Sequence, residues 1–295
     1  MAYKIIVTGA NGMLGSTLCI AYHNSHRVFA LHRDSQCYVP CHKDYSFDLT
    51  LEVELKKVFN LVNPDLVIHC AGIINMDLCE QEPELAYFAN VAATENIAQA
   101  CNQGTKLVYI STDQVYGDNS DRSESNMELK SINQYGNTKY LGEEKAAKHC
   151  PNCIITRTNI FGWNVKPGKV SSAEWIYDSL KNGKEITLFD DYIFSPVYTE
   201  DLGEIIMQLV NMDFSGVVNV GPSIPCSKYE FGKQLAEKFM FDNYLINKAS
   251  INDHSFEASR AKNLFLNTRR LTELGISVPD YKTSIKKFKE NQFGS

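Results

Sequence analysis

No stretch of the sequence stays apolar for the roughly 18 to 20 residues that a bilayer-spanning helix needs. Met1 leads straight into the strand-like YKIIVTG, without the charged and apolar regions of a secretory signal. Neither membrane insertion nor export is expected, and the chain is assigned to the cytoplasm. An excess of positive charge is also lacking: 29 Lys and Arg stand against 35 Asp and Glu, a formal net charge of -6. Without a basic face there is little to hold nucleic-acid phosphates, and no nucleic-acid partner is expected. Internal repeats and low-complexity tracts are absent, and no GxxxxGK[ST] run exists to form a P-loop.

A paired disulfide framework is missing too. The nine cysteines are odd in number and fall in apolar or helical contexts such as LCI, IHCAG and QACNQ, where Cys serves as a small hydrophobe. Cys150-Pro-Asn-Cys153, beside His149, has the spacing of a redox pair or of half a zinc site. Only Cys37 and Cys41 offer a second pair of ligands, at a looser spacing. A helix end followed by a strand start accounts for the Pro and Asn equally well, and no metal site is assigned.

What is present is ordinary globular material, 44% hydrophobic and 22% charged over 295 residues, enough for one large domain or two smaller ones sharing a cleft. In the N-terminal half short β-branched runs alternate with helical patterns: KIIVTG, then 13–23; RVFAL, then 51–60; DLVIHCAG, then 83–102; KLVYIST, then 135–149; CIITRTN. This is the βαβ pattern of an α/β fold with a doubly wound parallel sheet of Rossmann type. DLVIH and KLVYI are continuously apolar, as strands covered by helices on both faces should be. After about residue 159 the alternation gives way to loops, with helical patterns at 171–182, 200–211 and 227–240. The expected division is a dinucleotide-binding domain over 1–158 and about 196–221, and a smaller substrate-binding lobe over about 159–195 and 222–295.

TGANGMLG follows the first strand and opens the first helix, giving Gly9, Gly12 and Gly15 at three-residue spacing. Strand before, helix after and no bulk between is what a pyrophosphate at a helix N-terminus requires. The second strand runs into His32, Arg33 and Asp34. An acid at this point suits the ribose hydroxyl of NAD, and a base the 2′-phosphate of NADP. Because the basic residue comes first, NADP(H) is favoured, with NAD(H) kept open.

The fourth strand is expected to end in Ser111, Thr112 and Asp113, at the carboxyl edge of the sheet where open α/β folds bind ligands. The following helix carries Tyr135 and Lys139, four apart and on one face. The same spacing recurs at Tyr177 and Lys181, Tyr229 and Lys233, and Tyr244 and Lys248, so spacing alone decides nothing. Those three follow no such strand and are expected to be amphipathic-helix surface.

The glycine trio, FDLT at 47–50, HCAG at 69–72, NVAAT at 90–94, STD and YGNTK together resemble the extended short-chain dehydrogenase/reductase superfamily. STDQVYGD, YGNTKYLGEEKA, RTNIFG, SPVYTEDL and SRAKNLFLNTRRLTELGI look most like dTDP-4-dehydrorhamnose reductase and its relatives, over nearly the whole chain. The resemblance implies that Gly9, Gly12 and Gly15 cradle the pyrophosphate, that Asp48 and Leu49 contact the adenine, and that Ala71 and Gly72 line the cofactor channel. Asn11, Met13, Leu14, His32, Arg33, Cys70 and Asn90, with Tyr135 and Lys139, complete the implied cofactor-binding set. Tyr135 and Lys139 would be the catalytic pair with Thr112, and Asp113 would lie close to the substrate. Asn75, Asp77, Thr112, Asp113, Gln114, Ile160 and Arg260 form the implied substrate-binding set. Gln114 stands where these reductases have an aromatic residue, Ile160 where they have a Trp, and only Arg260 remains of their late Arg-Arg-Pro stretch.

A keto group receiving hydride needs a proton on oxygen, and a free phenol is a poor donor at neutral pH. On this reading Lys139 favours the phenolate electrostatically, Thr112 polarises the carbonyl and the cofactor supplies hydride. The expected activity is NADPH-dependent reduction of a nucleotide-linked 4-keto-6-deoxy sugar for deoxysugar and surface-glycan synthesis, by a monomer or homodimer. Two alternatives stay open: an epimerase or dehydratase of the same superfamily, and a non-catalytic NADP-binding regulatory subunit resembling the β-subunit of methionine adenosyltransferase.

Overall fold

The computed structural model describes residues 2–118, 120–125 and 129–293. Twelve strands occur among them: β1 (Lys4–Thr8), β2 (Arg27–His32), β3 (Lys43–Ser46), β4 (Leu66–His69), β5 (Lys106–Thr112), β6 (Cys153–Phe161), β7 (Ile186–Phe189), β8 (Ile193–Phe194), β9 (Pro196–Tyr198), β10 (Gly216–Val220), β11 (Cys226–Ser227) and β12 (Ile246–Ala249). Seven make one parallel path in the order β3-β2-β1-β4-β5-β6-β10, and β9 pairs with the carboxyl end of β6. The order reverses between β1 and β4, which is where a doubly wound sheet opens its ligand crevice.

Side chains alternate across the sheet, and both faces are covered. Ile5, Val7, Leu66, Ile68, Val108 and Ile110 point into one core, with Leu14 and Leu18 of α1 (Met13–Tyr22) and residues 202–210. Ile6, Val67, Leu107 and Tyr109 point into the other, beneath α2 (Glu52–Val62) and its neighbours. That double covering explains why these strands read as unbroken apolar runs.

β3 lies outside the expected elements. Its sequence, KDYS, is polar and largely exposed because it is the sheet edge, so Ser111 and Thr112 close the fifth strand in the chain rather than the fourth, and Asp113 opens the 3₁₀ turn that follows. α3 (Met76–Gln81) is likewise unannounced. The helix expected over 83–102 is interrupted: α4 (Pro83–Tyr87) passes into a π-helical turn at Phe88–Ala92 before α5 (Ala93–Ala100). Such turns frequently mark functional sites.

The next helices are α6 (Gln134–His149), α7 (Ser172–Lys181), α8 (Thr199–Asn211), α9 (Lys228–Phe239), α10 (Arg269–Glu273) and α11 (Tyr281–Glu290). Capping boxes start α7 (Ser171 with Glu174) and α9 (Ser227 with Glu230). A third core, rich in aromatics, gathers Phe161, Tyr177, Phe194, Phe231, Phe239 and Phe288. Tyr177 belongs to it, edge-on to Trp163 at 5.4 Å, so this copy of the Tyr-x-x-x-Lys spacing is core rather than surface. In the last copy Tyr244 stands in a 3₁₀ turn and Lys248 in β12, so the pair is not helical. Cys150 and Cys153 are buried where α6 ends and β6 begins, and all nine cysteines are free thiols.

Candidate active site

The carboxyl ends of β1, β4 and β5 open onto a cleft of about 710 Å³, walled on its far side by residues around the aromatic-rich third core. At one end lies the glycine turn. Gly9 has φ +64°, and a Cβ there would sit 2.9 Å from the Ala71 backbone. A Cβ on Gly15 would lie 2.2 Å from the Gly9 carbonyl oxygen. Gly12 precedes α1, whose N-terminus has neither a side-chain cap nor an acid in its first turn. Its amide dipoles are left facing the cleft, a ready place for an anion. Gly9, Gly12, Met13, Leu14, Gly15, Cys70, Ala71 and Gly72 all line this end.

Several implied cofactor contacts stand behind the wall instead. The Asn11 amide donates to the Asp34 carboxylate and the Gln36 carbonyl, both at 2.8 Å, and its oxygen accepts from the Tyr38 N–H at 2.9 Å. Its role is to pin the loop after β2 to the glycine turn. His32 is buried, with Nε2 3.2 Å from the Asp44 carboxylate. Leu49 is packed into the core under α2. Asn90, in the π-helical turn, accepts from the Ile73 N–H at 2.8 Å and donates to the Ile73 carbonyl and the Thr138 hydroxyl, both at 3.0 Å. Its amide therefore shapes the 71–73 wall rather than facing a ligand. Arg33 is exposed, its guanidinium 3.5 Å from Asp48. Asp48 also accepts from the Thr50 N–H and hydroxyl, at 2.9 and 2.7 Å, and these bonds hold its carboxyl below the ordinary value.

At the other end β5 and α6 bring Thr112, Asp113, Tyr135 and Lys139 to the cleft. They are fixed from beneath. The Ser111 hydroxyl donates to Glu143 on α6, and Glu143 pairs with Arg157 of β6 at 2.6 Å, both side chains being buried. Arg157 also donates to the Tyr116 hydroxyl at 2.9 Å, which donates in turn to Asn219 of β10 at 2.9 Å. One polar network thus joins α6 to three strands.

The electrostatics differ from the expectation. Burial pushes the Tyr135 phenol well above its ordinary value; the Thr112 hydroxyl offsets part of this and the charge of Asp113 adds to it. Lys139 does not draw the phenol down. Burial drives its own ammonium down to about 7, partly countered by Glu143, and the ammonium lies 4.1 Å over the Tyr109 ring. The resting site therefore holds a neutral phenol beside a lysine poised near neutrality. Asp113 accepts from Asn159 at 2.7 Å, Thr112 at 3.1 Å and Gln114 at 3.2 Å, while burial raises its carboxyl.

The opposite wall carries residues that no motif marks. Lys228, the first residue of α9, holds its ammonium 3.6 Å over the Phe194 ring; burial lowers it to about 8 and Asp113 opposes the shift. Tyr192 accepts from Gln114 at 3.4 Å. Thr158, also in the wall, has a buried hydroxyl without a protein partner. Trp175 and Phe256 add apolar surface. Lys228 opens a capped helix and Tyr192 sits in an irregular segment between two short strands, and nothing in the local sequence distinguishes either from a surface residue.

Of the implied substrate set, Thr112, Asp113, Gln114, Ile160 and Arg260 line the cleft. Asp77 instead pairs with Arg260 at 2.8 Å and accepts from the Ala258 N–H at 2.9 Å, tying α3 to the 258–260 segment. Asn75 caps α3 by accepting from the Leu78 N–H and does not line the cleft. Among the described residues no three His, Cys, Asp or Glu cluster as metal ligands, and no helix is long and apolar enough to cross a membrane.

The model of the RmlD substrate binding domain matches residues 3–292. Over 283 residues the chain is 29% identical to a dTDP-4-dehydrorhamnose reductase of Mycolicibacterium smegmatis, covering 94% of this chain and 82% of that protein. It is 25% identical over 284 residues to the methionine adenosyltransferase 2 subunit beta of Danio rerio, covering 93% and 86%. The crystal structure of dTDP-4-dehydrorhamnose reductase from Bacillus anthracis in complex with NADP superposes with a TM-score of 0.87 at 27% identity, covering 99% of this chain and 100% of that one.

Proposed function

Because the chain belongs to the RmlD substrate binding domain family, we propose that it is an NADPH-dependent reductase of a nucleotide-linked 4-keto-6-deoxy sugar. The observation that carries this reading is the meeting, in one cleft, of an uncapped helix N-terminus behind a glycine turn and the Thr112, Tyr135 and Lys139 side chains. The glycine turn and α1 would hold the cofactor pyrophosphate, with NADP(H) favoured over NAD(H) by Arg33. The cofactor would supply the hydride.

Tyr135 is the proton donor in this account. A phenol held neutral by burial keeps its proton until negative charge develops on the carbonyl oxygen, and gives it up at that moment. On substrate binding the Thr112 hydroxyl would turn from the Asp113 carboxylate to donate to the same oxygen and orient it. Lys139, one turn along α6 and titrating near 7, returns a proton to the phenolate. Gln114, Ile160, Tyr192, Lys228 and Arg260 form the substrate wall, and residues of about 159–195 and 222–295 make up the substrate lobe.

A second reading has its own support, the likeness to the methionine adenosyltransferase subunit: a non-catalytic NADP-binding regulator. Incubation with NADPH deuterated at the transferable position and with dTDP-, UDP-, GDP- and CDP-linked 4-keto sugars separates the two. The reductase reading expects deuterium in one sugar product. No transfer to any sugar, together with co-purification of a larger catalytic subunit, would favour the regulator. Label retained on a tightly held cofactor would point to an epimerase.

A further inference from the structure

The loop between β6 and α7 reaches across the cleft. Its base is anchored twice: Glu174 accepts from the Asn164 N–H at 2.8 Å and the Ser171 hydroxyl donates to the Gly162 carbonyl at 2.9 Å. From it Lys166 extends to the far side, where its ammonium pairs with Asp34 just beyond the end of β2. Lys166 and Asp34 are 132 residues apart, and each side chain keeps about a quarter of its surface exposed (26% and 28%). The other Asp34 oxygen accepts from Asn11 of the glycine turn at 2.8 Å. Arg33 stands next in sequence, 64% exposed and only loosely paired with Asp48 at 3.5 Å.

This is the place where a dinucleotide fold reads the adenosine ribose, through an acid for a free 2′-hydroxyl or a base for a 2′-phosphate. Asp34 alone would fit the hydroxyl and repel the phosphate. Lys166 changes that balance. It neutralises the carboxylate, and an ammonium has three donors, so two remain for phosphate oxygens after one is given to Asp34. We infer that Lys166, supplied from the opposite lobe, works with Arg33 to select NADP(H) over NAD(H), receiving the 2′-phosphate while cancelling Asp34. The inference rests on the nicotinamide-dinucleotide reading of the cleft and adds to it a residue from outside the nucleotide-binding half.

The test is direct titration of NADPH and of NADH into wild type, Lys166→Met, Asp34→Asn and the double variant, by calorimetry at low salt and without any sugar. Lys166→Met is expected to weaken NADPH binding tenfold or more and to change NADH binding less than threefold, since it leaves Asp34 uncompensated beside the phosphate. Asp34→Asn in that background should restore part of the NADPH affinity, and raising the salt should shrink the NADPH effect. Equal losses for the two cofactors would make Lys166 a tie between lobes and overturn the inference, as would an unchanged NADPH affinity. Wild type binding neither cofactor would overturn the dinucleotide reading as well. Melting temperature, followed for each variant, identifies any change that comes from folding.

Discussion

The floor and the roof of the cleft are held in different ways. On the floor Ser111, Thr112, Tyr135 and Lys139 stand on two regular elements, β5 and α6, joined through the buried Glu143–Arg157 pair. On the roof Tyr192, Lys228 and Arg260 come from three separate segments, and one of them is secured to α3 by a part-exposed ion pair, Arg260 to Asp77. The groups proposed for proton transfer are thus fixed by backbone ladders and a fully satisfied polar network. Among those proposed for recognition, Arg260 depends on a side-chain bridge, whereas Lys228 and Tyr192 are held by packing on Phe194 and Gln114. A floor on regular elements under a roof drawn from separate segments is what a fold needs if loop changes are to alter its substrate.

The contrast is broken most severely at Glu143. Glu143→Ala leaves Arg157 as an uncompensated buried charge, expected to cost about 3–5 kcal/mol. Chemical denaturation would show it as a large drop in midpoint; an unshifted midpoint would mean that the floor is held by something else. Asp77→Asn, which breaks the roof bridge, should cost no more than about 1 kcal/mol. Its effect belongs in a raised KM for the sugar nucleotide with kcat little changed, and a change in kcat alone would contradict the assignment of Arg260 to the roof.

Between these in size lies Lys139. Its folded-state value, about 7, is below the ordinary 10.5. Within that window the unfolded chain binds more protons than the folded one, so stability rises with pH and the cost of burying the ammonium is largest below about 7. Lys139→Met should therefore stabilise the protein by a few kcal/mol on the acid side, with the gap closing toward pH 10.5, while turnover falls. Melting curves of both proteins across that range check the sign. A variant less stable than wild type at acid pH would show that the ammonium is better solvated than its burial implies.

The same contrast governed what the sequence disclosed. The placement of the floor residues in the cleft was legible because they ride on local patterns: three glycines at fixed spacing between strand and helix, Ser-Thr-Asp where a strand ends, and Tyr and Lys one turn apart. Position after β5 separated Tyr135 from three other tyrosines with the same spacing. Of the roof only Arg260 was announced, by the family resemblance; the rest was hidden because its residues converge only in three dimensions. Lys228 follows a helix cap, Tyr192 lies between two short strands, and Lys166 sits in an irregular loop whose target is 132 residues away. Asn11, His32 and Asn90 present the reverse situation. Their positions within cofactor motifs are unmistakable, yet their side chains are spent on Asp34, Asp44 and Ile73, shaping the wall from behind. A motif fixes where the backbone goes, whereas which polar atoms remain free for a ligand depends on hydrogen bonds to distant segments.

The central claim is that Tyr135 delivers the proton in a reduction driven by a cofactor held elsewhere in the cleft. It is tested most directly by Tyr135→Phe, with NADPH affinity and single-turnover reduction of the 4-keto sugar nucleotide measured on the same preparation. The account predicts that affinity stays within about threefold of wild type while reduction falls by at least a hundredfold, the order of general acid catalysis. Reduction at the wild-type rate by the phenylalanine variant would contradict it.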